Sequence, residues 1–448
     1  MTKATRSAAS LVRFRTALRD SPPLFWAFLY FFSLLSGYYV LRPVREAMGA
    51  SADVQAVFPP SMIAFFARHG LTMGEFTLQV LFTCTFIVML LLQPAYGALV
   101  SRYPRRVFLP VVYLFFIVTL LLFYVAFDSG MPGRGMAFFV WIAVFNLFAV
   151  AVFWSFMADV FDTVEARAYF GYIGAAGTLG AFLGPLLTRM LVERIGIANL
   201  MLVAAAFLLL CLGCQMRLRR WAVAREQARG DRNRETPMGG SILAGLSLIA
   251  REPLLRWMAA VVLLGVGVGT LLYNEQAAIV RRLYPDSRAA TAYYANIDLA
   301  INALTLFVQV FVTRWLLSRY GIKPALLLPP LAILLGYSVL AAAPLPILVA
   351  IVQIITRSSE FCLNKPARET IYTQVAREWR YKAGAAIDTV VYRAGDLTFV
   401  WVHKVVSGFG SSAVFGAGIA IACGFGFSAY NLWREQRKLP AARSAETA

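Results

Sequence analysis

The sequence predicts an all-α membrane protein of about twelve transmembrane helices, arranged as two pseudo-symmetric six-helix bundles. Hydrophobic residues make up 60% of the chain and charged residues 15%, and the mean hydropathy is +0.67. A soluble domain is nearer half apolar and a quarter charged, so this composition requires a bilayer. The tripeptide Ser-Arg-Tyr follows a long apolar run twice, at 101–103 and again 217 positions later at 318–320. Because 217 is close to half of the 448 residues, the repeat indicates two related halves.

Apolar runs of spanning length recur along the whole chain, and we number the predicted helices from one to twelve in chain order. The first six lie near 24–46, 76–100, 107–127, 136–157, 170–191 and 198–216. The second six lie near 254–280, 291–317, 324–343, 345–364, 383–406 and 410–433. The first run follows a basic lead and lacks a small-residue cleavage site, so it is interpreted as a helix and not as a cleaved signal.

The formal net charge of +19 would favour nucleic-acid binding in a soluble protein, but here the basic residues lie between apolar runs. The segment 217–235 alone holds seven arginines. The positive-inside rule then places both termini in the cytoplasm, and we expect a multi-pass protein of a bacterial cytoplasmic membrane. The predicted parts are a basic N-terminus (1–23), a six-helix bundle (24–216), a basic linker (217–250), a second bundle (251–433) and a cytoplasmic tail (434–448).

Cysteine and histidine offer little material for metal or redox chemistry. The five cysteines all lie in apolar runs, and the two histidines, His69 and His403, are far apart in sequence. No nucleophile and base with a third partner can be recognised. We therefore expect no metal, no cofactor, no nucleic-acid partner and no enzymatic activity.

The two Ser-Arg-Tyr copies lie in basic loops that we interpret as a cytoplasmic gate. Their cations can meet helix C-termini and carboxylates in one of two gate states. The loops resemble the signature Gly-x-x-x-Asp-Arg-x-Gly-Arg-Lys of the major facilitator superfamily, which implies that superfamily's twelve-helix fold. The gate cations are Arg102, Arg105, Arg106, Arg319 and Lys323.

Predicted helix 1 ends in a charged face, and ionisable residues inside a span are costly and are treated as functional candidates. Tyr38, Arg42 and Arg45 are spaced i, i+4 and i+7, so they share one face, with Glu46 beside them. Pro43 interrupts the hydrogen-bond ladder there. Two arginines and a tyrosine suit an anionic or phosphorylated ligand. The alternative is that the helix has ended and these residues lie at the membrane interface.

The second half carries further polar positions within its spans. Glu275 of helix 7 is a candidate for charge coupling or for pairing with a helix 1 arginine, or else it marks an extracellular helix end. Arg393 of helix 11 can pair with Asp396 at i+3. Arg357, Asn364 and Arg368 share a face that can line a cavity or form a salt-bridged gate, with Glu360 close to it. The alternative, a solvated loop, suits Arg368 better than Arg357. Asp388, Tyr392 and Asp396 step by four and are predicted to face one way. Other polar positions are Asn274 in helix 7, Asp298 in helix 8, and Arg357, Glu360 and Asn364 in helix 10.

Several segments resemble the ATP/ADP translocase family, also described as nucleotide exchange transporters. The resemblance rests on 38–47, 153–159, 165–171, 365–372 and 381–388. It implies a facilitator fold and an exchange of ATP for ADP, as in plastids and intracellular bacteria.

The sequence therefore predicts a secondary carrier that moves an anionic, phosphorylated solute by alternating access. The alternatives are a proton-coupled carrier or exporter of another anionic or amphipathic solute, such as a lysolipid or siderophore, and a non-transporting membrane sensor. We expect a monomer in the bilayer with a small anionic solute, ATP or ADP by the resemblance. The predicted substrate-binding residues are Tyr38, Arg42, Arg45, Arg357, Asn364, Tyr392 and Arg393. The predicted coupling or gating residues are Glu46, Asn274, Glu275, Asp298, Glu360, Asp388 and Asp396.

Overall fold

The computed structural model describes residues 21–102, 105–161, 163–229, 242–372, 374–375 and 379–439, and this part of the chain contains helices and no strands. Four of its helices begin with proline in the first turn, where the missing amide hydrogen costs nothing. In the first half of the sequence the helices are α1 (Pro22–Gly49), α2 (Val54–Val57), α3 (Pro60–Arg68), α4 (Thr77–Arg102), α5 (Arg105–Asp128), α6 (Arg134–Val160) and α7 (Thr163–Arg229).

The second half contains α-helices interrupted by π-helical turns, in which each hydrogen bond spans five residues. The α-helices are α8 (Ile242–Arg251), α9 (Pro253–Leu283), α10 (Ser287–Val308), α11 (Arg314–Tyr320), α12 (Ile322–Ala342), α13 (Pro346–Ser359), α14 (Lys365–Tyr372), α15 (Gly384–Ala386), α16 (Tyr392–Ser407) and α17 (Ser411–Gln436). The π-helical turns are Gln309–Thr313, Glu360–Asn364, Trp379–Ala383 and Ile387–Val391.

Ten helices among the described residues are long and apolar enough to cross a membrane. One of them, the span Ala168–Ala224 within α7, is 57 residues long and kinks at Gly196, whose φ is 81° and ψ is 172°. Because this helix covers predicted helices 5 and 6, the kink divides it into two. Predicted helix 11 falls on the broken stretch from Trp379 to Ser407, which is not among the ten. The predicted all-helical membrane fold is thus confirmed.

The described residues divide into two compact units whose limits differ from the two halves of the sequence. The first unit comprises the described residues of Met1–Leu71, Ile87–Arg234 and Asp286–Leu299. The second comprises those of Thr72–Phe86, Glu235–Pro285 and Ala300–Ala448. Each unit therefore contains a short segment from the opposite half of the sequence.

The core of the first unit is aromatic and packs α1 against α6 and α7. Tyr30 and Tyr113 are both fully buried and share a hydrogen bond of 2.7 Å between their hydroxyl groups. Phe31 stacks on Phe153 with ring centroids 4.4 Å apart. A stripe of glycines on α7 allows α1 to approach closely, since a Cβ at Gly180 would overlap the Phe32 carbonyl oxygen. This packing fixes the position of α1 and of the charged residues at its end.

The core of the second unit is built on α9, which packs against α16 and α17. Tyr337 of α12 is fully buried, and its hydroxyl donates a hydrogen bond to the carbonyl oxygen of Val268 on α9. Helix α7 continues to Arg229, so the first part of the predicted linker 217–250 is helical, while 230–241 lies outside the described residues.

Candidate functional site

The charged end of α1 lies within the helix. Pro43 is accommodated, and α1 continues to Gly49, so the alternative that the helix ends before Arg42 is wrong. Arg42 is 7% exposed and Glu46 is 2% exposed. The predicted face is therefore part of a membrane-spanning helix and is shielded from solvent.

Asp298 of α10, in the same unit, completes this charged face. The Arg42 Nη1 atom lies 3.1 Å from Asp298 Oδ1, and the Arg42 Nε atom lies 3.8 Å from Glu46 Oε1. Arg45 contributes a second guanidinium, with Nη1 3.2 Å from Glu46 Oε1. We call these four residues, Arg42, Arg45, Glu46 and Asp298, the helix-1 cluster. When all four are ionised, its two positive and two negative charges cancel.

The helix-1 cluster retains hydrogen-bonding capacity. Oδ2 of Asp298 and Oε2 of Glu46 are buried and have no hydrogen-bond partner among the described residues. A buried carboxylate oxygen without a donor is costly. An anionic solute can bind a guanidinium of the cluster in place of the carboxylate that holds it, and a proton or cation can neutralise the released carboxylate. The cluster can therefore exchange its internal ion pairs for ion pairs with a solute.

Aromatic rings surround the arginines of the helix-1 cluster. The Arg45 guanidinium lies 4.0 Å from the centre of the Phe139 ring, and that of Arg42 lies 5.5 Å from the Tyr39 ring. Tyr38 is half-buried and packs against Tyr39 and Phe145. The structure thus brings Tyr38, Arg42 and Arg45 to one helix end, as the sequence predicts.

A second charged group lies in the second unit, on two π-helical turns. Arg368 places Nη2 3.1 Å from Glu360 Oε1 and Nη1 3.5 Å from Asp388 Oδ1. Asn364 donates a hydrogen bond to the other oxygen of Glu360. We call Glu360, Asn364, Arg368 and Asp388 the π-turn cluster. Its side chains are unequally shielded, since Arg368 is 8% exposed and Asp388 is 52% exposed.

The burial of Arg368 shows that the alternative of a solvated loop is wrong for this residue. The chain continues as helix α14 beyond Asn364, which carries Arg368 inward. Pro366 has no amide hydrogen for the carbonyl of Cys362, and the Thr313 hydroxyl donates to that carbonyl instead, at 2.7 Å. The proline therefore rearranges the helix into a π-turn without ending it.

Arg357, near the end of α13, differs from the other arginines at these sites. It is half-buried, and its side chain makes no ion pair or hydrogen bond with any other residue in the described part of the chain. Glu360, three positions further on, is held by Arg368 and Asn364. Arg357 consequently has a charge available for a mobile anion.

The residues of α16 confirm the predicted ion pair of Arg393 with Asp396, but they do not form the predicted common face with Asp388. Arg393 Nη1 lies 3.2 Å from Asp396 Oδ2, and the Thr270 hydroxyl donates to Asp396 Oδ1 at 3.3 Å. Asp388 does not lie on the same face as Arg393 and Asp396. The π-turn Ile387–Val391 inserts an extra residue, so residues four positions apart no longer share a face there. Tyr392 is 41% exposed, so the predicted common face is split.

Glu275 has a partner that the sequence did not indicate. Helix α9 continues to Leu283, so Glu275 does not mark a helix end, and its Oε1 lies 2.9 Å from His403 Nε2. Asn274 is buried beside it and donates to the Thr270 carbonyl oxygen. His403 was missed because only proximity in the fold, across 128 positions of sequence, connects it to Glu275.

Two of the five predicted gate cations, Arg319 and Lys323, have side chains among the described residues. The side chains of Arg102, Arg105 and Arg106 lie outside the described residues. Arg319 and Lys323 are exposed and stack on the aromatic rings of Tyr320 and Trp433. Between them, Gly321 adopts a φ of 70°, which glycine tolerates, and links α11 to α12 in a tight turn.

Buried ion pairs inside spanning helices, with no strand in the described part of the chain, are the features of a multi-pass membrane protein. The sequence profile of the Major Facilitator Superfamily matches residues 57–380, well over half of the chain. The chain therefore belongs to the Major Facilitator Superfamily, which makes it a membrane transporter by family.

Individual known proteins are similar over most of their length. The ADP,ATP carrier protein 1 of Chlamydia trachomatis serovar D is 20% identical over 427 residues, covering 82% of this chain and 79% of that protein. A solved D-xylose-proton symporter is 13% identical with a TM-score of 0.59, covering 92% of this chain and 97% of the other. A POT family peptide transporter is 13% identical with a TM-score of 0.60, covering 93% and 97%. At such low identity the structures support the fold alone.

Proposed function

We propose that this protein is a secondary carrier for an anionic, phosphorylated solute, working by alternating access and exchanging ATP for ADP. The observation that carries the proposal is the half-buried Arg357 without an ion-pair partner among the described residues. A cation within a spanning helix is expensive unless a counter-ion is present. A solute phosphate supplies that counter-ion, and the guanidinium can bind it through two parallel hydrogen bonds.

The helix-1 cluster supplies a second pair of guanidinium groups. Arg42 is held by Asp298, and Arg45 by Glu46. A solute that displaces these carboxylates gains cationic partners but releases negative charge. We infer that the cluster binds the solute only in the state in which its own ion pairs open, so that binding and conformational change are linked.

The similarity to an ADP,ATP carrier supports nucleotides as the first solutes to test. Purified protein in proteoliposomes should take up labelled ATP, and ADP trapped inside should stimulate the uptake. Arg357→Gln should lower this counter-stimulated uptake by about tenfold or more, because each lost charge-assisted contact is worth about 1.5–3 kcal/mol.

Arg256→Gln is the matched control, since Arg256 is exposed on α9 and its side chain has no ion-pair partner among the described residues. It should retain near-normal uptake. Equal losses in both variants would remove Arg357 from the solute site. If circular dichroism shows that the protein is folded and no nucleotide uptake is measured, ATP and ADP are excluded as solutes. Uptake of inorganic phosphate and of sugar phosphates would then test the wider class of anionic solutes.

A proton-coupled carrier is the second candidate. The observation in its favour is the buried carboxylate–imidazole pair of Glu275 and His403. A pH gradient that drives ATP accumulation without internal nucleotide would favour this candidate over exchange.

A further inference from the structure

The end of the second unit at which α12 begins and α17 finishes carries positive charge that the proposed function does not use. The basic residues of segments 314–343 and 411–439 are Arg314, Arg319, Lys323, Arg434, Arg437 and Lys438. Glu435 is the one acidic residue in these two segments, and its Oε1 lies 2.6 Å from Lys438 Nζ. Within these segments a single carboxylate cannot neutralise the basic residues, so this end favours an anionic partner.

Trp433, near the end of α17, holds two of these cations close together. Lys323 Nζ lies 4.4 Å from the centre of the Trp433 ring, and the Arg437 guanidinium carbon lies 5.3 Å from it. Both basic side chains are exposed, and each is attracted to the electron-rich ring. Tyr430 packs against Trp433, with ring centroids 5.6 Å apart. We call Lys323, Tyr430, Trp433, Arg434 and Arg437 the basic–aromatic patch.

The basic–aromatic patch continues an exposed face of α17 that contains no charged residue over the rest of its length. The exposed positions of this face are Gly416, Ala420, Cys423, Phe427, Tyr430, Arg434 and Arg437. Successive members are three or four residues apart, so they lie on one side of the helix. Because α17 is long and apolar enough to cross a membrane, its uncharged face lies in the hydrocarbon and its two arginines lie at the lipid headgroups.

Helix α12 packs beside α17 and supplies a second apolar face. The contact is close, since a Cβ added to Gly426 would lie 3.7 Å from Pro330. The exposed apolar residues of α12 are Leu328, Leu331, Leu335 and Val339. From Leu328 to Val339 the helix rises by about 16 Å, and half of a hydrocarbon core of about 30 Å is about 15 Å. This apolar face therefore matches the depth of one leaflet, with Lys323 above it at the level of the headgroups.

We propose that the basic–aromatic patch binds the headgroup of an anionic phospholipid, whose acyl chains lie along the exposed faces of α12 and α17. The lipid phosphate accepts hydrogen bonds from Lys323 and Arg437, and the aromatic rings lie at the interface between headgroups and hydrocarbon. A zwitterionic headgroup also carries a cation, which the basic side chains around Trp433 repel.

This inference gives Lys323, which the sequence predicts as a gate cation, a contact with lipid. It uses none of the residues that the proposed function assigns to the solute. Lipid binding can therefore be tested without any transported solute.

The test is native mass spectrometry of purified, delipidated protein in detergent, which counts bound lipid molecules. The probes are phosphatidylglycerol and phosphatidylcholine with identical acyl chains. We expect the first phosphatidylglycerol to bind at least about tenfold more tightly than phosphatidylcholine. The double variant Lys323→Gln/Arg437→Gln should weaken phosphatidylglycerol binding by about tenfold or more, because it removes two charge-assisted contacts.

Two further double variants separate this site from a general effect of charge. Arg194→Gln/Arg282→Gln removes the same charge from two exposed arginines, one in the first unit and one near the end of α9, and should leave lipid binding unchanged. Lys323→Arg/Arg437→Lys keeps both cations and should bind phosphatidylglycerol within about threefold of wild type. Gel filtration identifies any variant that has not folded.

Three results would overturn the proposal. The first is equal affinity of the folded wild type for the two lipids. The second is an equal loss in Lys323→Gln/Arg437→Gln and in Arg194→Gln/Arg282→Gln. The third is displacement of phosphatidylglycerol by an equal concentration of glycerol 3-phosphate, which would make a soluble phosphate the ligand. A failure of ATP uptake in proteoliposomes would remove the nucleotide function and leave this measurement unaffected, since it contains no nucleotide.

Discussion

Arg42 and Asp298 form an enclosed ion pair of the first unit, and its energetic role differs from that of a surface pair. Both side chains are less than 10% exposed, and their closest atoms are 3.1 Å apart. Removing one partner of such a pair leaves a buried charge without compensation, which costs about 3–5 kcal/mol. The free energy lost when one partner is removed is therefore larger than the free energy that the protein gains by forming the pair.

Arg42→Gln and Asp298→Asn should each lower the apparent melting temperature in detergent strongly. The double variant should lose less than the sum of the two, with a coupling energy of about 0.5–3 kcal/mol, because neither partner is then left as an isolated charge. A fluorescence-detected melting curve for the four proteins of this cycle measures the coupling.

Arg189 and Glu193 provide the matched surface cycle, since they are 40% and 59% exposed and 2.9 Å apart. Their coupling should stay below about 1 kcal/mol. Equal coupling in the two cycles would show that the Arg42–Asp298 pair is not shielded in the way that the structure describes.

The site residues that sequence could identify are those whose relation is local. Arg42, Arg45 and Glu46 share a face by helical spacing, and Arg393 and Asp396 are three positions apart. The acceptor of Arg42 could not be chosen from sequence, because Asp298 meets it only through packing of α10 in the first unit. His403 was missed for the same physical reason, since its partner Glu275 lies in another segment, and so was the contact of Arg368 with Asp388.

At the scale of elements, the glycines of α7 determine how closely α1 can approach. Gly180→Ala should destabilise the protein by about 1–3 kcal/mol, because the new methyl group would overlap the carbonyl oxygen of Phe32 and lie 2.9 Å from the Ser36 nitrogen. Backbone atoms cannot move aside as a flexible side chain does. Thermal unfolding in detergent measures the effect.

Gly174→Ala is the control on the same helix, with no atom within 4 Å of the added carbon. Its effect should be neutral or slightly stabilising, since alanine favours a helix over glycine by up to about 1 kcal/mol. A loss at Gly174 as large as that at Gly180 would contradict the assignment of α1 packing to Gly180.

The helices themselves were predictable, because runs of apolar residues of bilayer length leave few alternatives to a helix. The positions at which π-turns interrupt these helices were not predictable from the sequence. Pro366 marks a break in the hydrogen-bond ladder, yet sequence alone does not show that Thr313 would satisfy the Cys362 carbonyl or that the chain would continue as a π-turn. This distinction matters for function, since the π-turns position the carboxylates of Glu360 and Asp388 around Arg368.

At the scale of the whole molecule, the exchange of segments between the two units makes the halves of the sequence interdependent. Asp298, from the second half, completes the helix-1 cluster, and Glu75, from the first half, pairs with Lys404. A fragment that ends within 230–241 should therefore lack Asp298, the carboxylate nearest to Arg42. Expressed alone, residues 1–229 should be degraded faster than the full chain, and co-expression with residues 242–448 should restore their lifetime, as pulse-chase labelling can show.

A first-half fragment as long-lived alone as in the full chain would show that the exchanged segments contribute nothing to its stability. Co-expression with a second half that carries Asp298→Asn is the sharper control. It should restore less of the lifetime than the unaltered second half, because the amide removes the closer of the two carboxylates that pair with Arg42, at 3.1 Å against 3.8 Å for Glu46.

The acceptor of Arg42 also has a consequence for the order of synthesis. Asp298 leaves the ribosome 256 residues after Arg42, a delay of roughly 10–50 s at a translation rate of about 5–20 residues per second. During that interval α1 must reside in the membrane with an arginine whose final counter-ion does not yet exist. Glu46, one turn away on the same helix, can serve as a provisional counter-ion, with Oε1 3.8 Å from the Arg42 Nε atom in the finished structure. The glutamate thus allows the nascent helix to enter lipid before the chain that completes its site has been made.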